Sequence, residues 1–389
     1  MPGSFRQAAS FLPFLLVLWI QRPTLAHAIG MRQDVKESTY LNLANNAADY
    51  PAGKFPDFLP VAAVGVIGKG GKFEIIGSGT LVAPEWVLTA AHVVLSDKRG
   101  EDFEASMEVR FGPAASESVL RFRVSGVATP LPPDELRPLL RSGPRITEGE
   151  VVHAEFHDLA LLKLASPVPD ITPAAFDETA EQLLGRLIYI AGFGDATTGN
   201  NTKARTWTPA DRKRAAENVI DREIMRNPYN ADTVGGILLF DFDNGTDERN
   251  TLNLRSKSWE HLFGDGQSSP DPAALEGASY PGDSGGPAFA RTADRWCVVG
   301  VSGYGTGFPP DRRRTSIQFG DILAYTRISP HAPWIRQQIT PRAPGPPAAM
   351  VSRAVPAAEV SKVTNPPEAP ASAPAPPIFR PPETATTEN

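Results

Sequence analysis

Between residues 29 and 340 the apolar residues fall into short runs, each bounded by Gly, Pro or polar clusters. They lie at 61–67, 73–76, 80–82, 159–164, 187–191 and 296–301. Runs of this length separated by turn formers suit antiparallel β structure better than alternating strands and helices. The 33 Gly and 39 Pro, set against 7 Tyr and 6 Trp, fit a chain of many turns. Three segments carry a helical signal. At 211–225, Ala215, Ala216, Val219, Ile220 and Ile224 stand at helical spacing, although in a β protein the segment fits a strand. Residues 177–184 suit a short helical turn, and Pro333 before Trp334, Ile335 and Ile339 suits a terminal helix with Pro in its first turn.

Both ends differ from this middle. Arg6, the apolar run 8–20 and Ala26-His27-Ala28 make residues 1–28 read as an export signal cleaved after Ala28. A run of that length is too short to span ~30 Å of hydrocarbon as a helix, so a membrane anchor is the weaker reading. Residues 341–389 hold 13 of the 39 Pro, mixed with Ala, Ser, Thr and Glu. Such a stretch lacks the apolar surface to offset chain entropy and is expected to be a disordered tail. The folded part is therefore expected at 29–340. The net charge of −6 argues against a nucleic-acid partner, which calls for a basic footprint. One cysteine, Cys297, excludes an internal disulfide framework and any Cys-rich metal site.

Gly282-Asp283-Ser284-Gly285-Gly286-Pro287 is the most chemically specific stretch. A serine hydroxyl becomes a useful nucleophile only when a base takes its proton and donors hold the oxyanion. Small neighbours let a substrate approach Ser284, and the N–H groups of Gly282 and Ser284 can converge on one oxygen. The block also satisfies G-x-S-x-G, the elbow of α/β-hydrolases, with Asp321 and His331 following. That elbow leads into a helix, however, and Gly285-Gly286-Pro287 is a poor helix start. Thr89-Ala90-Ala91-His92 follows an apolar run and brings an imidazole to a strand end. Asp158 enters the apolar run 159–164, where a buried carboxylate needs a partner. His92 Nδ1–H meets that need while fixing the tautomer.

Together these three segments resemble the chymotrypsin/trypsin-like serine peptidases, with His92, Asp158 and Ser284 in the family's order. Gly77-Ser78-Gly79-Thr80-Leu81-Val82, Ala191-Gly192-Phe193-Gly194, Gly300-Val301-Ser302-Gly303 and Tyr325-Thr326-Arg327-Ile328 with Trp334-Ile335 agree with further family segments. The resemblance implies an all-β fold of two packed antiparallel six-stranded β-barrels with a short C-terminal helix. It implies a serine endopeptidase using a His92–Asp158–Ser284 triad, with Gly282 and Ser284 N–H groups as the oxyanion hole. The expected partners are protein or peptide substrates, met by a monomer without cofactor, metal or stable membrane anchor. Export implies a secreted or periplasmic protein, and the absence of disulfides suggests a bacterial-type member.

The resemblance also assigns Ile29, exposed as a new N-terminus, as the partner of Asp283, although Gly30-Met31-Arg32 departs from the family's usual Val-Gly-Gly. Ala278 stands where trypsin-like members carry an acid, which argues against cleavage after Arg or Lys. With Ser302 and Leu323 it suggests a shallow, apolar specificity pocket. The 66-residue step from His92 to Asp158 and the 126-residue step to Ser284 point to insertions at 96–150 and 195–275. Asp241, Asp243, Asn244 and Asp247 in the second read as a solvated acidic turn, since the Gly spacing misses the EF-hand loop. His153 and His157 miss the H-E-x-x-H zinc pattern because Glu155 is one place late. A peptidase-like fold kept only for binding is the alternative function, and uptake of a covalent inhibitor separates the two.

Overall fold

The computed structural model describes residues 29–95, 106–141, 155–179, 181–199, 210–227, 230–253, 265–306 and 318–340, all within one compact unit. The export segment at 1–28, the tail at 341–389 and His153 lie outside the described residues.

Six strands form a closed antiparallel barrel. They are β1 (Val61–Ile67), β2 (Phe73–Ala83), β3 (Trp86–Thr89), β4 (Met107–Phe111), β5 (Leu120–Ala128) and β6 (Ala160–Leu164), in the order β1-β2-β3-β6-β5-β4. The apolar runs at 73–76 and 80–82 are one strand, bent by a register shift of β1 between Val64 and Gly65. Bends of this kind let a short sheet curl until its edges meet. β3 and β6 pair with Thr89 opposite Ala160. That register sends His92, three residues past Thr89, and Asp158, two residues before Ala160, out of the same end of the barrel.

The second half is a curled sheet of β7 (Leu187–Gly192), β8 (Arg214–Val219), β9 (Arg222–Asn227), β10 (Asn230–Asp241), β11 (Pro287–Thr292), β12 (Arg295–Thr306) and β13 (Ile322–Arg327). Its order is β8-β7-β11-β12-β13-β10-β9, with Asp265–Gly266 extending the β9 edge and Ala175–Phe176 beside β12. The expectation of two closed six-stranded barrels is therefore corrected: one barrel closes, and the other sheet does not close as a continuous ladder. The reason lies at Ile220 and Asp221, where the chain leaves its pairing with β7 and takes up β10. There the Asp221 N–H donates to Leu239 O at 3.0 Å, so the two ends of the curled sheet are joined through the chain.

The segment 211–225 contains β8 and the start of β9 and has no helix. Arg214 to Asn218 are all buried, and a strand covered on both faces loses the alternation that marks a half-exposed one. No helix occurs among the described residues of 177–184. Much of the two supposed insertions is also sheet: 96–150 supplies β4 and β5, and 195–275 supplies β8, β9 and β10. Among the described residues the α-helices are α1 (Glu37–Ala44), α2 (Ala91–Val94), α3 (Pro133–Arg141) and α4 (Ala332–Ile339), the last with Pro in its first turn as expected. No helix among the described residues is long and apolar enough to cross a membrane.

The main apolar core runs through both sheets, with Phe58 of the connecting segment set edge-to-face on Phe289 of β11 at 5.7 Å. A second cluster contains Phe156, from the turn before Asp158, buried among Ile224, Ile237, Leu239, Ile322 and Ala324 of the curled sheet and Leu252 of a nearby turn.

Candidate active site

His92 lies on the single-turn helix α2, which follows β3 directly. Its Nδ1 stands 2.7 Å from Asp158 Oδ2, and its backbone N–H donates to Asp158 Oδ1 at 2.8 Å. One carboxylate thus fixes both the ring and the turn that carries it. The Asp158 side chain is 6% exposed and that of His92 is 33% exposed, so the acid is enclosed while the imidazole keeps an open edge. Burial by itself would lower the imidazole's affinity for a proton. The charge of Asp158 and its hydrogen bond outweigh that, and the His92 pKa lies above the ordinary 6.5.

Ser284 lies on the turn before β11, half-buried. Gly282 (φ +100°) and Gly285 (φ +84°) occupy the left-handed region that L side chains avoid. A Cβ on Gly285 would meet Thr89 Oγ1 at 2.1 Å and Ala90 N at 2.9 Å, so the turn packs against the strand end that leads to His92. A Cβ on Gly77 would lie 2.8 Å from both Ser284 O and a Val93 methyl. Ser284 and the His92 helix therefore converge on one point of β2. The N–H groups of Asp283, Gly285 and Gly286 bind the carbonyls of Tyr280, Ser302 and Asp283. Among the described residues, the Gly282 and Ser284 N–H groups have no such acceptor.

A cleft of about 300 Å³ opens beside Ser284, lined by Ser279, Tyr280, Pro281, Ser302, Gly303, Tyr304 and Gly305. Ser302 Oγ bonds Ser279 Oγ at 3.2 Å. The other two residues expected around the pocket lie behind this lining. Ala278 is fully buried, and Leu323, opposite Gly305 in the sheet, packs beneath it. The lining is rich in hydroxyls and carries no charge.

Ile29 is buried, and the adjoining Gly30–Met31 pairs with Ala278–Gly277 on one side and Thr197–Thr198 on the other. Asp283 is 1% exposed, and its two oxygens accept from the N–H groups of Gly194 (3.1 Å) and Tyr280 (3.2 Å). Burial raises its pKa to about 7, with Arg214 nearby pulling the other way. A Cβ on Gly192 would fall 2.1 Å from Asp283 Oδ1, which explains a glycine there.

The acidic segment 241–247 departs from expectation, since Asp241 and Asp243 are buried. Asp241 accepts from Ser268 Oγ and Leu252 N–H, while Glu276 accepts from Asn218 Nδ2 and Ala273 N–H. Among the described residues no three His, Cys, Asp or Glu side chains are grouped to hold a metal ion.

Two sheets meeting at a cleft, with a His–Asp pair delivered by one and a glycine-bound serine by the other, define a serine hydrolase. The sequence profile of the trypsin-like peptidase domain matches residues 77–301, more than half of the chain, and the protein belongs to that family. It is also similar to a protein named tryptase from Mus musculus, at 25% identity over 273 residues, 67% of this chain and 77% of the relative. Sequence reasoning missed Ser78, Phe156 and His331 as parts of the site's framework. Only the small-residue stretch Gly77-Ser78-Gly79 hinted at the first, as a place where another backbone comes close.

Proposed function

We propose that the protein is a serine endopeptidase that cleaves protein or peptide substrates through an acyl-enzyme. Ser284 attacks the scissile carbonyl as His92 Nε2 takes its proton. The same proton then passes to the leaving amine, and water, activated by His92, releases the acyl group. Asp158 holds the imidazole in the required tautomer and offsets its charge. The unengaged N–H groups of Gly282 and Ser284 suit an oxyanion, and losing one such donor costs about 3 kcal/mol of transition-state stabilisation. The observation that carries this reading is the 2.7 Å His92–Asp158 contact beside a serine turn packed on the same strand end.

The uncharged, hydroxyl-lined cleft supports small, uncharged side chains at the cleaved bond in preference to Arg or Lys. Removal of residues 1–28 on export would free the ammonium of Ile29 to serve Asp283, a buried carboxylate otherwise bound by two backbone N–H groups. Under this reading the protein is secreted or periplasmic. Labelling with a serine-directed phosphonate tests the assignment: the parent chain is expected to react at Ser284 and Ser284→Ala not to react. Equal labelling of both would overturn the mechanism, and a parent that takes up no label would point to the binding protein. N-terminal sequencing tests activation, with active protein expected to begin at Ile29.

A further inference from the structure

Ser78 is fully buried in β2, and each of its polar atoms is engaged at the site. Its backbone N–H donates to Ser284 O at 2.8 Å. Its hydroxyl donates to Gly282 O at 3.0 Å and accepts from the Phe193 N–H, also at 3.0 Å. Its carbonyl accepts from Thr89 Oγ1 at 2.7 Å, on the strand that leads to His92. One residue of the closed barrel therefore binds the serine turn at two carbonyls, the 191–194 turn at one N–H, and the histidine strand at one hydroxyl.

Resting on the peptidase reading above, we propose that the Ser78 hydroxyl is a positioning residue that holds the oxyanion hole in its working shape. Gly282 has φ +100° and no side chain, so the peptides around it rotate with little steric resistance. A donor fixed to its carbonyl from the opposite sheet selects one orientation, and the Ser78 N–H to Ser284 O bond fixes the other end of the turn. The hydroxyl also spends its acceptor on Phe193 N–H, next to Gly194, whose own N–H binds Asp283. Ser78 thus couples the oxyanion turn to the Asp283 pocket without touching substrate. Preorganised donors contribute most in the transition state, so the loss is expected in the chemical step and not in substrate binding.

The test compares the parent with Ser78→Ala and Ser78→Cys, the latter keeping the side chain but only a weak donor. Acylation by p-nitrophenyl acetate gives a burst whose amplitude counts reactive Ser284 and whose rate reads the hole. An alkyl boronic acid, which forms a tetrahedral adduct, reads the same donors at equilibrium. For Ser78→Ala the expected result is an unchanged amplitude, an acylation rate at least about tenfold lower, and boronate affinity weakened in parallel. Ser78→Cys is expected to fall between. Rate and boronate affinity within about twofold of the parent, whatever happens to the melting temperature, would overturn the proposal. If the alanine variant does not fold, the cysteine variant is judged by the same criterion. Failure of both to fold would also overturn it, by making Ser78 a folding residue. A parent with no burst would reject the peptidase reading itself.

Discussion

An imidazole acts as a base only when it has no proton on the nitrogen that faces the nucleophile. Because Asp158 holds the His92 pKa above 6.5, activity should rise with pH through a midpoint on the alkaline side of that value; a kcat/KM profile checks it. Asp158→Asn keeps the shape but forces the wrong tautomer, and kcat is expected to fall ~10⁴-fold with little change in melting temperature. These three residues were legible because each sits in a short motif whose neighbours carry the signal: two alanines before His92, an apolar run after Asp158, glycines around Ser284. Ser78 was not. Its hydroxyl partners lie 204 and 115 positions away, and nothing local to a Gly-Ser-Gly strand specifies them.

At the scale of elements, the turn that carries Asp158 is anchored in the opposite sheet. Phe156 plugs the second apolar cluster, and its carbonyl lies 2.7 Å from His331 Nε2, just ahead of α4. Burial first, with His157 close by, lowers the His331 pKa to about 4 despite that bond, so the ring stays neutral near neutral pH and donates Nε2–H to the carbonyl. Phe156→Ala is expected to lose ~3–5 kcal/mol in a denaturant titration and to lower kcat with it, since the Asp158 turn loses its anchor. A second element-scale feature fills the gap between β8 and β9. Asp221, Asp241, Asp243 and Glu276 are buried together there, with Asp271, Asn218 and Ser268 beside them and, from the N-terminal arm, Arg32 and Tyr40 facing Glu276. Burial raises all four acids, and repulsion by neighbouring carboxylates adds to it for Asp221, Asp243 and Glu276, taking Asp243 to about 9. Their folded pKa values exceed the unfolded ones, so the folded state binds more protons from about pH 4 upward. For Asp243 that stabilisation is complete below about pH 4 and is lost as pH climbs through about 9. Melting temperatures should therefore fall over that window, and by several degrees less in Asp243→Asn. Strands β1, β2, β6, β7 and β12 were legible from the short apolar runs. The joint at Ile220 and Asp221 was not, because a strand covered on both faces shows no period of two, and a change of partner leaves no mark in local composition.

Across the whole molecule, the N-terminal arm is tied down by side chains as well as by Gly30–Met31, which pairs in a small separate sheet with Thr197–Thr198 and Gly277–Ala278. Arg214, 1% exposed, takes Glu37 of α1 at 2.6 Å, and Tyr40 donates to Glu276 O. Glu37→Ala leaves that buried guanidinium without its carboxylate and should lower the melting temperature by several degrees, measured by calorimetry with Arg214→Met as the second corner of a cycle. The family relationship was legible over most of the chain, whereas the extent of sheet in 96–150 and 195–275 was hidden by reading spacing between motifs as inserted loop. The only cysteine, Cys297, is buried in β12, so the contact between the sheets depends on packing and on backbone laid against backbone. Gly77, Gly192 and Gly285 all lie where a single added carbon would strike the other side of that contact or the Asp283 carboxyl. The two halves of the molecule fit like a joint cut with no clearance. Sequence change in such a protein is therefore channelled outward: rims and connections can drift freely, while a narrow seam of near-naked backbone stays closed to variation because there is no side chain left to trim.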